Sequence, residues 1–139
     1  MIALVIGGSG SGKSAYAEQM AVKAAGNGSL YYVATMQVYD EEGKKKVERH
    51  QKMRAGKGFF TIEQPRRLKE AAKKVATEKV SAGKVAAEGV TAGKIVLLEC
   101  MSNLVANEMF SEENLSAVMD ETKMKQLSHE IISGVTALH

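Results

Sequence analysis

A glycine-rich segment near the start of the chain has the residue types of a phosphate-binding loop. Residues 7–14 read Gly-Gly-Ser-Gly-Ser-Gly-Lys-Ser and fit the pattern G-x-x-x-x-G-K-[ST]. The glycines let successive N–H groups turn toward a phosphate, Lys13 adds a positive charge, and the Ser14 hydroxyl is a ligand for Mg²⁺. A glycine-rich hairpin, the alternative, needs neither the Lys-Ser pair nor the helical pattern that follows. The segment therefore predicts a site for the phosphates of a nucleoside triphosphate.

A carboxylate, Glu99, ends the apolar run at residues 95–99. If this run is a buried parallel strand, Glu99 emerges at the edge of the sheet where α/β proteins bind their ligands. In phosphate-loop enzymes an acid at this place holds Mg²⁺ or orients the attacking group. The alternative is a glutamate that caps the following helix near Ser102 and Asn103.

His50 lies in a strongly charged segment, and Arg54 follows it four residues later. A neutral imidazole is a competent nucleophile toward phosphorus near neutral pH, and an arginine one helical turn away would bind the phosphates under attack. Composition alone favours a solvated helix histidine instead. Glu63 ends another predicted strand, where it would reach nucleotide hydroxyls or a base edge. Neither a zinc site nor a thiol active site is predicted, because the other histidines and Cys100 have no partners at suitable spacing.

Alternating strand and helix patterns predict the elements that position these residues. Strands are predicted at residues 2–6, 30–35, 59–63 and 95–99, and helices at 13–25, 40–54, 66–81, 101–110 and 113–133. This order is typical of a three-layer α/β fold with a mostly parallel sheet. Residues 80–85, Val-Ser-Ala-Gly-Lys-Val, are nearly repeated at 90–95 as Val-Thr-Ala-Gly-Lys-Ile. We interpret this stretch as a surface extension before the last strand.

The bulk composition excludes several classes of protein. A chain of 139 residues predicts one nucleotide-binding domain, residues 1–139, and no apolar run is long enough to span a membrane. The net charge of +3 is spread among glutamates and there is no tryptophan, so binding to nucleic acid is not predicted. The single cysteine and the absence of a signal-type segment predict a cytoplasmic location.

Five segments together resemble the bifunctional adenosylcobinamide kinase and adenosylcobinamide-phosphate guanylyltransferase family of cobalamin synthesis. They are the loop at residues 7–14, Tyr-Val-Ala-Thr-Met at 32–36, Arg49-His50 with Arg54, Thr-Ile-Glu at 61–63, and Leu-Leu-Glu-Cys at 97–100. Their order and approximate spacing agree along residues 1 to about 110. The resemblance implies a P-loop NTPase-like (RecA-like) α/β/α fold.

The resemblance also implies an activity. In that family a nucleoside triphosphate, GTP or ATP, phosphorylates the aminopropanol hydroxyl of adenosylcobinamide. A histidine then attacks the α-phosphate of GTP, and the substrate phosphate finally takes the GMP. By motif, His50 is the implied guanylylated nucleophile, and Ser14 and Glu99 are the predicted ligands of Mg²⁺. The implied nucleotide-binding residues are Ile6, Gly7, Gly8, Ser9, Gly10, Ser11, Gly12, Lys13, Ser14, Ala34, Thr35, Met36, Gln51, Lys52, Met53, Arg54, Glu63 and Glu99.

The chain also departs from the family pattern. Family members continue with a strand bearing a Val-Thr-Asn-Glu-Val-Gly-like motif and a closing helix with an Asn-Gln pair, and neither occurs in these 139 residues. The expectation is a fold that is incomplete at the C-terminus and a homo-oligomer that covers the open sheet edge. Two other functions stay open: a kinase of another small hydroxylated metabolite, with His50 a surface residue, and a truncated module that binds GTP without turnover.

Overall fold

The computed structural model describes residues 1–38, 41–77, 93–111, 114 and 120–139, apart from the side chains at positions 42, 46, 49, 50, 53 and 55. Strands alternate with helices along the chain, as predicted. In order, the elements are α1 (Lys13–Ala25), β1 (Ser29–Ala34), α2 (Glu41–Ala55), β2 (Phe59–Glu63), α3 (Leu68–Thr77), β3 (Lys94–Glu99), α4 (Met101–Met109) and α5 (Glu121–Ala137).

The described strands form a parallel sheet in the order β2-β1-β3. Ser29 N donates to Gly93 O at 3.1 Å at one end of the β1–β3 pair, and Thr35 N donates to Glu99 O at 3.0 Å at the other. The two bonds join residues with the same offset in sequence, so the strands run in the same direction. The predicted α/β fold with a parallel sheet is confirmed.

The prediction of a buried strand at residues 2–6 is wrong. Within the part of the chain that the structure describes, the sheet contains only β1, β2 and β3. Ile2, Leu4 and Ile6 are 64%, 76% and 84% exposed. An apolar run indicates only a tendency toward burial. A strand also needs a neighbouring strand whose main-chain N–H and C=O groups are free to pair with it, and the sequence of the run does not reveal whether such a strand exists.

Two compact units divide the chain, and the division cuts each of the three strands. The first unit comprises Met1–Tyr32, Tyr39–Thr61 and Lys79–Leu97, and the second comprises Val33–Val38, Ile62–Glu78 and Leu98–His139. The first therefore holds the starts of the strands, and the second holds their carboxyl ends. A single domain over residues 1–139 stays a prediction.

Aromatic side chains from β1 and β2 pack against each other in the first unit. Tyr31 packs edge-on against Phe60, and Tyr32 packs edge-on against Phe59, with ring centroids 6.1 and 6.0 Å apart. Tyr31 is fully buried and Tyr32 is nearly so. Both faces of β1 are covered, as expected for the central strand of a parallel sheet.

Helices α3, α4 and α5 form the core of the second unit. The buried face of α3 consists of Leu68, Ala71, Ala72 and Val75, which repeat at helical spacing. Helix α5 packs against it through a buried glycine, Gly134. The small residue lets the two helix backbones approach closely.

Two predicted helices have different bounds in the structure. Helix α3 begins at Leu68 and not at residue 66, because Arg67 takes a left-handed backbone with φ of 54°. Helix α5 begins at Glu121, where the side chain of Asp120 accepts a hydrogen bond from Lys123 N, and it continues to Ala137. Residues 80–92, which hold most of the repeated sequence, lie outside the described part of the chain, so the prediction of a surface extension stays a prediction.

Candidate nucleotide site

The phosphate loop turns tightly just before α1, as its sequence predicts. Gly10 and Gly12 have positive φ angles of 71° and 81°, and Ser11 N donates to Gly8 O at 3.3 Å. Gly12 is the N-cap of α1, whose first residue is Lys13. The loop therefore leads directly into a helix N-terminus, where unpaired N–H groups and the helix dipole favour an anion.

Lys13 lies over its own loop. Its Nζ donates to Gly8 O at 3.1 Å, in an exposed position. A bond to a single main-chain oxygen is weak enough in water for a phosphate to replace it. The ammonium group is thus held close to the turn and remains available to an anionic ligand.

A cavity of about 560 Å³ lies beside the loop, within the range of small-molecule sites. Ile6, Gly7, Ser11, Gly12 and Lys13 line one part of it. Residues 3–5 and two side chains of α1, Tyr16 and Met20, line the rest. The exposed segment that precedes the loop therefore contributes to a hollow next to the predicted phosphate site.

Helix α2 carries the candidate nucleophile. The backbone at His50 is helical, and the side chains of His50 and Met53 lie outside the described ones. Gln51 is half-buried and Lys52 is exposed. The turn after α2 is joined to α1 by an ion pair between Lys57 and Glu18. Helix α2 and the phosphate loop belong to the same compact unit.

Arg54 does not have the exposed position that its charge suggests. It is 6% exposed, and its guanidinium carbon lies 3.7 Å from the centroid of the Tyr32 ring. Its Nε has no hydrogen-bond partner among the residues that the structure describes. The structure therefore shows Arg54 packed on β1, while its predicted contact with phosphates stays a prediction.

The other residues predicted to contact the nucleotide lie in the second unit, at the carboxyl edge of the sheet. Ala34 and Thr35 are buried at the end of β1, and Met36 is 41% exposed. Glu63 and Glu99 are the last residues of β2 and β3. The N-cap of the helix after Glu99 is Cys100. The parallel sheet thus brings the ends of three strands to one edge, as expected for the ligand side of an α/β fold.

Sequence reasoning missed one polar residue at this edge, Asn107 of α4. Its Nδ2 donates to Thr35 O at 2.7 Å and to Pro65 O at 2.9 Å. The partners are 72 and 42 residues away in sequence, so no local pattern indicates them. The helix also contains Ser102, Asn103 and Glu108, so its sequence gives no sign that distinguishes Asn107.

The predicted Mg²⁺ ligands, Ser14 and Glu99, belong to different compact units, and their joint role stays a prediction. Ser14 and Glu99 offer oxygen atoms, the donors that Mg²⁺ prefers. Over residues 1–38, 41–77, 93–111, 114 and 120–139, no group of three or more His, Cys, Asp or Glu side chains is placed to hold a metal ion. Mg²⁺ usually keeps several waters and binds through one or two protein groups together with phosphates, so a hydroxyl such as that of Ser14, beside the phosphate loop, suits this mode.

None of the described helices combines the length and the apolar character that crossing a membrane requires.

Comparison with known proteins gives one family. The family model described as cobinamide kinase / cobinamide phosphate guanyltransferase (CobU) matches residues 3–138 of the chain. No match is found among curated proteins or among solved structures. The matched range includes the phosphate loop, His50 and the carboxyl ends of all three strands.

Proposed function

Because the chain belongs to the cobinamide kinase / cobinamide phosphate guanyltransferase family of cobalamin biosynthesis, we propose that it phosphorylates adenosylcobinamide and transfers GMP to the product through His50. The observation that carries the proposal is the loop at residues 7–14. It has the motif, the left-handed glycines and the following helix that a triphosphate site needs.

The guanylyl transfer runs in two balanced steps. An imidazole nitrogen of His50 attacks the α-phosphorus of GTP, a P–N bond forms, and the bond to pyrophosphate breaks. A phosphate oxygen of adenosylcobinamide phosphate then attacks the same phosphorus, and the P–N bond breaks. The imidazole thus serves as nucleophile and as leaving group, which divides one difficult displacement into two easier ones.

The chain's own residues have separate tasks in this reaction. The loop N–H groups and Lys13 bind the β- and γ-phosphates and fix the nucleotide. Mg²⁺ held by the Ser14 hydroxyl together with the phosphates would neutralise phosphate charge. Helix α2 and the loop share one compact unit, and the Lys57–Glu18 ion pair joins the turn after α2 to α1, which supports His50 as the attacking group.

A mass spectrum of the protein incubated with GTP and Mg²⁺ tests the proposal. We expect one added GMP on the peptide that contains His50, labile in acid and stable in base. His50→Ala should lose this adduct, and His129→Ala, a change at an exposed histidine of α5, should keep it. The transferase mechanism would be wrong if wild-type protein stays unmodified, or if His50→Ala is labelled as strongly as wild type.

A second assay separates the kinase step. With γ-labelled nucleotide and adenosylcobinamide, label should reach the corrinoid without a phosphorylated protein. If label reaches the corrinoid but no histidine is guanylylated, the protein is a kinase without transferase activity. If the protein binds GTP but transfers neither the phosphoryl nor the guanylyl group, it is a nucleotide-binding module without turnover. Cytoplasmic location and a homo-oligomeric state stay predictions, and the latter is measured by light scattering.

A further inference from the structure

One amide side chain joins two loops at the carboxyl edge of the sheet. Asn107 donates from its single Nδ2 to Thr35 O, just after β1, and to Pro65 O, in the loop after β2. An amide NH₂ has two hydrogens, so both are used. The two bonds are part-buried, so loss of the amide would leave two carbonyl oxygens without this donor, away from bulk water.

Thr35 extends this connection to the third strand. Its Oγ1 donates to Cys100 O and accepts from Cys100 N, both at 2.8 Å, and the residue is fully buried. The hydroxyl therefore fixes the end of β1 against the turn that follows Glu99. Together, Asn107 and Thr35 hold the ends of all three strands at set distances from one another.

We infer that Asn107 is a positioning residue for the nucleotide, a role that rests on the proposed function. It contributes through main-chain atoms: it orients the segment at residues 34–36 and the loop that follows Glu63. Through Thr35 it also sets the place of Glu99. A nucleotide held at this edge needs these three segments in one arrangement, and misplacement by about 1 Å is enough to reduce binding or turnover strongly.

Asn107→Asp is the variant that tests this role, because it keeps the shape and replaces the donor by an acceptor. A carboxylate facing two carbonyl oxygens repels both loops. The matched control is Asn114→Asp, since Asn114 Nδ2 donates at 2.7 Å to one main-chain oxygen, Glu108 O, only six residues away in sequence. Asn107→Gln, which keeps both amide hydrogens, is the conservative variant.

The measurement is the dissociation constant for GTP by calorimetry, at a temperature where circular dichroism shows every variant folded. We expect Asn107→Asp to bind GTP about tenfold more weakly, as the loss of buried hydrogen bonds predicts. Asn107→Gln should recover part of the loss. Asn114→Asp should stay close to wild type even where its melting temperature falls, because a merely structural role lowers stability without changing the affinity of folded protein.

Equal affinities of wild type and Asn107→Asp would overturn the inference, and so would an equal loss in Asn114→Asp. If Asn107→Asp does not fold, Asn107→Ala replaces it: it removes both amide hydrogens without adding a charge, and unchanged GTP affinity would contradict the role. A wild-type protein that does not bind GTP overturns the proposed function itself, which distinguishes the two failures.

Discussion

The guanidinium of Arg54 stacks on the ring of Tyr32, 3.7 Å from its centroid. The pair joins the last turn of α2 to the central strand, and Arg54 is 6% exposed. A planar, weakly hydrated guanidinium suits such a place better than an ammonium does. Since α2 carries His50, this stack also fixes the end of the helix on which the proposed nucleophile lies.

Arg54→Lys should therefore destabilise the protein although it keeps the charge. We expect the free energy of unfolding to fall by about 1–2 kcal/mol, because the flat stacking surface is lost and a strongly hydrated ammonium is buried. Chemical denaturation measures the change. Arg67→Lys, at an exposed position, is the control, and an equal effect of both substitutions would show that the stack contributes nothing.

The burial of Arg54 also shows what the sequence could and could not predict. The phosphate loop, α1 and the strand ends at Glu63 and Glu99 were found because their signals are local: a fixed spacing of glycines, or an apolar run that ends in a carboxylate. Arg54 was expected in a solvated helix, since a charged residue gives no local sign of an aromatic partner on another element.

Asn107 and residues 2–6 also show that the sequence does not reveal contacts with partners far away in the chain. Asn107 was missed because its acceptors, Thr35 O and Pro65 O, are brought to it only by the tertiary fold. Residues 2–6 were wrongly assigned to the sheet because hydrophobicity reports the tendency to be buried, whereas strand pairing depends on a neighbour that lies elsewhere in the chain.

Lys13→Ala should weaken GTP binding about 100-fold, because a charge-assisted contact with the phosphates is lost. The fold should be little affected, since the one bond that Lys13 Nζ makes to Gly8 O is exposed. Calorimetry with GTP gives the affinity. Lys23→Ala removes an exposed lysine from the last turn of the same helix and should bind GTP like wild type. Similar affinities for the two variants would exclude the loop as the phosphate site.

Gly12→Ala and Gly8→Ala separate backbone strain from lack of space. A Cβ at either position meets no atom within 4 Å, but φ at Gly12 is 81°. An alanine there adopts the left-handed region at a cost of about 1–2 kcal/mol, so Gly12→Ala should lower the melting temperature of the nucleotide-free protein. Gly8→Ala should leave it nearly unchanged. Equal melting temperatures would mean that the turn relaxes without strain.

Gly134→Ala tests the close approach of α3 and α5. The added Cβ would lie 2.8 Å from Leu68 Cβ and 3.3 Å from Leu68 Cγ, so the two helices must separate. Alanine is favoured over glycine in a helix by about 1 kcal/mol, whereas overpacking a buried contact typically costs about 1–3 kcal/mol. The contact involves an atom next to the backbone, which a change of rotamer does not remove, so the steric term should dominate and lower the melting temperature.

The control for Gly134→Ala is Ser128→Ala, which alters the exposed face of the same helix and should change stability little. In a Leu68→Ala background the substitution should destabilise less, because Leu68 Cγ and Cδ2, which lie 3.3 and 3.4 Å from the added Cβ, are gone. A Gly134→Ala variant that melts at or above the wild-type temperature would show that the helices do not depend on this glycine. The same cost in both backgrounds would place the steric conflict at the Cβ of residue 68, which alanine retains.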